Sequence, residues 1–464
     1  MHISTRLFAL ASVFFPLLFS FIFYRYHHHH HHHQQQHQDI PQAEPMNIAT
    51  AMSTAKPSTI AIVGGSYVGM RLAQALIPVL PASHRVVVVE ANSHFHHLFT
   101  FPRFAVLHRG GEEKALIPYT HTFEAARDKA SIVHARALSV HAAPEGAGKG
   151  WLQLDRASEG GKDRLEFDFL AIATGTQLCQ PWSLPSTHTD GVQAKKQAVE
   201  TLRRYQDAVK EAQRIVIVGG GAVGVQVACD ISELYPAATG KKVTLLHSRE
   251  RVMNKFHPEL HAIVAKRFAE RGVSTHLGSR VVIPAGGFPS FAPGQTFDVE
   301  LQNGTKVPAD LVLMCTGQTP HSALLASFAP HALSPDGFIN VLPTMQIDFA
   351  SSAPSPLAQR MFALGDIANS GASKTVRAAM GQIDTITSNI LALIQGDTPK
   401  AHFTPGPSGI HLSLGLYESI VFRNPANEGD APAGSGIKRD LKLDMGIEDT
   451  WSKWNVPQGT PWHL

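Results

Sequence analysis

Cysteine is scarce in this chain: Cys179, Cys229 and Cys315 are the three thiols in 464 residues. Their wide separation excludes the closely spaced pair that a dithiol relay requires, and three thiols give no disulfide framework, which suits a reducing compartment. They read as core filler. Charge of one sign is also lacking, with 40 Lys and Arg against 37 Asp and Glu and a net charge of +3. No basic block interleaved with aromatics appears, so nucleic acid is not an expected partner. His94, His96 and His97 have no carboxylate or cysteine at a ligand spacing, and no metal site is expected. What remains is 44% apolar residues and 37 glycines, enough for two or three domain-sized cores of an α/β protein.

The glycines are not scattered. Ile-Ala-Ile-Val precedes Gly64-Gly65-Ser66-Tyr67-Val68-Gly69, and Ile-Val-Ile-Val precedes Gly219-Gly220-Gly221-Ala222-Val223-Gly224, 155 residues later. Each loop follows a β-type run and opens into a helix-compatible stretch. Backbone N–H groups at such a helix start receive a pyrophosphate, and the missing side chains let it approach. Two loops imply two dinucleotides. Ser66 replaces the middle glycine of the first loop, a mild change because its hydroxyl can donate to phosphate.

The strand after each loop says which nucleotide belongs where. Arg85-Val86-Val87-Val88-Val89 ends in Glu90, the acid that binds the hydroxyls of an adenosine ribose, which suits FAD. Lys242-Val243-Thr244-Leu245-Leu246 ends in His247-Ser248-Arg249, with no acid at the matching position. A carboxylate there would repel a 2′-phosphate, whereas Arg249 can pair with one, so the second site leans toward NADPH over NADH. A third signature, Met361-Phe362-Ala363-Leu364-Gly365-Asp366, reads as a buried strand ahead of a helix from about residue 373 to 395. Lys374 is expected in its first turn, where cation and helix dipole together favour negative charge on a reduced flavin.

Ala173-Thr174-Gly175-Thr176, Cys315-Thr316-Gly317 and Gly365-Asp366 stand in the order found in pyridine-nucleotide-dependent flavin oxidoreductases, which the chain resembles from about Ser58 to Leu416. Within that superfamily, Phe95-His96-His97, Tyr235-Pro236, His247-Ser248 and Ser373-Lys374-Thr375 resemble the apoptosis-inducing-factor-homologous, mitochondrion-associated flavoproteins, a group that includes the ferroptosis suppressor quinone reductase. The resemblance implies two Rossmann-like three-layer α/β domains of the pyridine nucleotide-disulfide oxidoreductase type, without the redox disulfide. It assigns Gly64, Gly65, Ser66, Gly69, Glu90, Arg103, Val133, Thr174, Gly175, Gly365, Asp366, Lys374 and Thr375 to FAD. Gly219, Gly221, Gly224, His247, Arg249 and Gly317 fall to the pyridine nucleotide, NADPH or NADH. Lys374 and Gln226 are the implied catalytic positions. Gln226 departs from the family, which usually has a glutamate there beside the nicotinamide; an amide keeps hydrogen bonding but loses charge and basicity.

Leu7 to Tyr24 is an uncharged apolar run of 18 residues flanked by Arg6 and Arg25, about 27 Å long as a helix. It reads as an uncleaved membrane anchor rather than a secretory peptide; a mitochondrial presequence stays open because no acid precedes Asp39. His27 to His33 and Gln34-Gln35-Gln36 read as a solvated linker. Residues 1–57 are therefore anchor and linker, 58–182 and 320–395 an FAD domain, 183–319 an inserted NAD(P) domain, and 396–464 an acceptor or interface segment. Asn424 to Gly436 reads as a flexible excursion. Trp451, Trp454 and Trp462 suit either a membrane surface or packing on the body.

The expected activity is hydride transfer from NAD(P)H to FAD and onward to an acceptor, with a quinone leading because neither redox cysteines nor metal motifs are present. The expected location is a membrane, with the catalytic part cytoplasmic and the mitochondrial outer membrane or a lipid surface open, and a homodimer is possible. The alternative is a flavin-bound signalling or scaffold protein in which NAD(P)H controls conformation or dimerisation.

Overall fold

A computed structural model describes residues 56–143, 148–157, 161–184, 191–350, 355–434 and 436–464. The run Leu7–Tyr24 and the histidine tract lie outside these residues. Among the described residues no helix is long and apolar enough to cross a membrane.

Strand β1 (Ser58–Val63), helix α1 (Tyr67–Leu76), β2 (His84–Glu90), β3 (Ala130–His134) and β4 (Phe169–Ile172) form the first unit. Helix α2 (Gly191–Glu211) leads into β5 (Arg214–Val218), α3 (Ala222–Leu234), β6 (Lys242–Leu246), α4 (Pro258–Arg271), β7 (Ser274–His276) and β8 (Leu311–Met314). The chain then returns through β9 (Met361–Ala363) and α5 (Val376–Ile394).

Two parallel sheets result, ordered β9-β4-β1-β2-β3 and β8-β5-β6-β7. The second repeats the first without its added strand. Five of the six residues of β1 are buried, as expected for strands with helices on both faces. In each sheet the glycine loop follows the strand whose two neighbours are reached in opposite directions, the switch point where α/β sheets open a crevice. The β1 register pairs Val63 with Val89 and Ile172; the β5 register pairs Val218 with Leu246 and Met314. The two crevices are built alike.

The expected flexible excursion is partly ordered. Ala433–Gly434 pairs with Ser419–Arg423, which pairs antiparallel with Gly409–Ser413. The tail beyond it packs on the body: Trp454 stacks on Phe95 at 4.2 Å between centroids, and Trp451 donates to the Lys114 carbonyl at 2.8 Å. Trp451 and Trp454 are buried, so of their two sequence readings packing applies.

Arg103, on the short helical turn Phe101–Phe104, ties these parts together. It is fully buried and forks onto both oxygens of Asp230 in α3 at 2.9 and 3.1 Å. Its remaining N–H groups reach the carbonyls of Gly415, Leu416 and Leu443 and the Ser413 hydroxyl. Burial raises the Asp230 carboxyl and the neighbouring Arg103 charge opposes that rise. Removing one member strands the other charge. Arg103→Met is expected to lower stability by about 3–5 kcal/mol, with the Arg103→Met/Asp230→Asn double variant losing less than the two single changes combined, as read by urea denaturation.

Candidate functional site

The first crevice is shaped by backbone that tolerates no side chain. Gly64 has φ +104°, and a Cβ there would lie 2.4 Å from the Ala173 carbonyl oxygen; at Gly69 it would lie 1.9 Å from the Gly64 oxygen. The turn thus closes against β4 while α1 starts flush on it, leaving its first N–H groups facing the opening. Ser66 is the N-cap, and its side chain caps no helix N–H. A cavity of about 360 Å³ lies beyond, lined by Gly64, Ser66, Glu90 and Thr174 among others.

Glu90 is buried at the tip of β2, where it accepts from the Gly65 N–H at 2.6 Å, the Asn92 N–H at 2.8 Å and the Asn92 side-chain amide at 3.0 Å. Burial raises its carboxyl and these bonds oppose the rise. A carboxylate offers about four lone-pair positions, so the clasp keeps acceptor capacity for ribose hydroxyls. The cradle and the acid fit FAD.

The second crevice repeats this geometry with different chemistry. Gly219 has φ +121°, its Cβ would lie 2.5 Å from the Cys315 oxygen, and a Cβ on Gly224 would lie 1.9 Å from the Gly219 oxygen. Where Glu90 takes the Gly65 N–H, His247 Nδ1 takes the Gly220 N–H at 3.1 Å. Burial lowers the imidazole pKa, which favours the neutral ring that accepts this bond. Among the described residues no carboxylate lines this crevice.

The cavity of the second crevice, about 790 Å³, runs from Gly219, Gly221 and His247 past Gly317 to Ser373, Lys374 and Thr375 of the returning segment. The inserted unit and the first unit therefore share one hollow. Lys374 precedes the helix instead of occupying its first turn: Thr375 is the N-cap of α5, its hydroxyl accepting from the Ala378 N–H at 3.3 Å. The Lys374 ammonium donates to the Ala368 carbonyl at 2.6 Å and lies 4.3 Å over the Phe338 ring. Burial lowers its pKa, while Asp366 acts to raise it. Gly365 donates to the Gln382 side chain at 2.8 Å, and burial raises the half-buried Asp366.

Four expectations land elsewhere. Every donor of Arg103 is taken by protein, so it has none for a cofactor. Val133 pairs with Val89 inside the sheet, and the cavity wall is built two to five residues later, by Ala135 to Leu138. Gln226, 9% exposed, donates to the Met445 sulfur at 3.7 Å and lines neither cavity. Arg249 is exposed and outside the wall, whereas Arg280 and Lys255 line it. Arg280 follows β7, the neighbour of β6, and sheet order alone brings it there. Asn92 and Tyr119, whose hydroxyl donates to the Gly65 carbonyl at 3.0 Å, were also missed.

The sequence profile of the family described as pyridine nucleotide-disulphide oxidoreductase matches residues 58–382. Fe-regulated protein 8 of Mycosarcoma maydis is 35% identical over 430 residues, 90% of this chain and 100% of that protein. Ferroptosis suppressor protein 1 of Homo sapiens is 26% identical over 369 residues, 78% of this chain and 87% of that one. Among solved structures, the sulfide:quinone oxidoreductase of Aquifex aeolicus superposes with a TM-score of 0.63 at 16% identity, covering 86% of this chain and 90% of the other.

The clasp gives a direct expectation. Glu90→Ala removes the acceptor for ribose hydroxyls and frees the Gly65 and Asn92 donors, and is expected to weaken flavin retention at least about tenfold. Flavin fluorescence released on dilution measures it.

Proposed function

The chain belongs to the pyridine nucleotide-disulphide oxidoreductase family, and from that premise we propose that it oxidises NAD(P)H through bound FAD and delivers the electrons to a quinone. The single hollow that joins the second glycine turn to Lys374 and Thr375 carries this reading. Together the two coenzymes supply the hydride chemistry, and the protein supplies binding and alignment. The turns at Gly64 and Gly219 admit the pyrophosphates. Glu90 and His247 orient the adenosine ends. The Ala368 carbonyl fixes Lys374, and the N-terminus of α5 adds positive potential at the same wall, both favouring negative charge there.

Two features support the quinone. Two of the three thiols are poor relays, since burial pushes Cys229 up to about 12 and raises Cys315 as well, leaving little thiolate to react; Cys179 is exposed rather than core filler. Beside the first turn, Tyr67, Phe95 and Phe99 form an aromatic cluster in which Tyr67 and Phe99 lie 4.7 Å apart, and Phe99 is 53% exposed. Such a surface suits a planar, apolar acceptor. The apolar run Leu7–Tyr24 adds a route to lipid, where long-tailed quinones reside, and fits a membrane-associated protein. Stopped-flow reduction followed by reoxidation with short-chain quinones tests this. The quinone assignment fails if flavin reduces but dioxygen reoxidises it as fast as any quinone.

The coenzyme proposed is NADPH, because the strand tip carries His247 in place of a carboxylate and Lys255 and Arg280 line the cavity. Arg280→Ala is expected to raise KM for NADPH about tenfold and to leave KM for NADH within about twofold, since only the former carries the 2′-phosphate. Steady-state kinetics with both coenzymes decides.

Gln226 favours a second reading. Its contact with Met445 links the nucleotide helix to the tail, as a scaffold protein that responds to NAD(P)H by changing conformation or dimerising would need. Sustained turnover with any acceptor counts against it.

A further inference from the structure

The tail supplies a third part of the wall around the hollow of the second crevice. Ser408 and Ile410, at the start of the strand pair Gly409–Ser413 and Ser419–Arg423, line it together with Lys255 and Arg280 of the inserted unit and Lys374 of the returning segment. Lys255 is exposed, and among the described residues its ammonium has no hydrogen-bond acceptor and no acidic partner. It stands near enough to Lys374 for its charge to act against that ammonium. A lysine stem is flexible, so where its ammonium dwells depends on where its backbone is held.

The backbone of Lys255 is held from three directions. Upstream, the Met253 N–H donates to the Gly220 carbonyl at 2.7 Å, and Met253 has φ +52°, a left-handed conformation that a residue bearing a side chain keeps only where its surroundings fix it. Downstream, His257 is the N-cap of α4. The third hold comes from the tail. The Asn424 side-chain amide donates to the Lys255 carbonyl at 3.1 Å, and its Oδ1 accepts from the His257 N–H at 2.8 Å. Asparagine suits this pair because one short planar group carries both a donor and an acceptor. Asn424 is itself fixed, its N–H donating to the Ser408 carbonyl at 2.8 Å, and Phe256 meets Phe422 edge-on at 6.4 Å beside it. The first residue of the expected flexible excursion is thus a clamp on a loop 167 residues away.

We propose that Asn424 is a positioning residue for the coenzyme: by clamping the loop from Met253 to His257 it holds Lys255 in the hollow, where the ammonium is a free cation for a coenzyme phosphate. The inference rests on the reading of this hollow as the NAD(P)H site. A phosphate gives the unpartnered ammonium a charge-assisted hydrogen bond, and a loop held beforehand loses less freedom when that bond forms.

The test is isothermal titration of the oxidised, FAD-loaded protein with NADP⁺ and with NAD⁺, which needs no turnover. Lys255→Ala is expected to weaken NADP⁺ binding about tenfold and Asn424→Ala about fivefold. Because Asn424 acts through Lys255, the Asn424→Ala/Lys255→Ala double variant should bind within about twofold of Lys255→Ala, whereas the losses from Asn424→Ala and Arg280→Ala multiply. A loss confined to NADP⁺ assigns Lys255 to the 2′-phosphate, and equal losses with NAD⁺ assign it to the pyrophosphate that both coenzymes carry. With saturating NADPH, Asn424→Ala should raise KM and keep kcat within about twofold of the parent, a split that a general loosening of the fold does not give. Flavin content is measured for every variant. Asn424→Asp keeps the His257 bond, loses the Lys255 bond and is expected to share the loss of affinity, so it serves if Asn424→Ala sheds its flavin. The proposal is overturned if both Asn424 variants keep parental NADP⁺ affinity, if Lys255→Ala does, or if the losses at the two positions multiply. Parental affinity in these variants leaves the oxidoreductase reading intact, whereas a parent protein that binds neither nucleotide sinks both.

Discussion

One buried guanidinium holds the parts of this protein in register. Arg103 comes from the first nucleotide unit, its carboxylate partner from the helix behind the second glycine turn, and its other acceptors from the tail. A fork of five N–H bonds is shared among six acceptor atoms only when all three segments are seated. The hollow between the glycine turn and Lys374 depends on the same seating, because its walls come from both nucleotide units. Acid pairs farther out continue the contact: Arg271 meets Glu233 and Glu418, so the strand pair Gly409–Ser413 and Ser419–Arg423 is held against α3 and α4.

The architecture was legible because its determinants are local. A turn that must avoid the next strand's carbonyl and start a helix at once admits only glycine at two fixed positions, and that requirement appears twice in the chain. The acid at the tip of β2 and the histidine at the tip of β6 were legible for the same reason, since each caps a strand adjacent to its own turn.

What spacing could not show was which distant segments become neighbours. Arg103 looked like a cofactor ligand until Asp230, 127 residues away, claimed it. Gln226 looked open to nicotinamide, but its cover, Met445, lies 219 residues further along. Arg249 was chosen because it sits two residues beyond His247 in sequence, while Arg280 reaches the cavity wall from the loop after the adjoining strand. The helix after Lys374 was expected too early because Thr375, an N-cap hydroxyl, marks its true start.

The neutral ring of His247 separates two tasks that a carboxylate would combine. It satisfies the Gly220 N–H and so completes the turn, yet contributes no charge to selecting a coenzyme. Under the NADPH proposal, selection falls to Lys255 and Arg280, exposed side chains on which no core packing depends. On that proposal, a change of coenzyme needs only surface substitutions and leaves the interior undisturbed.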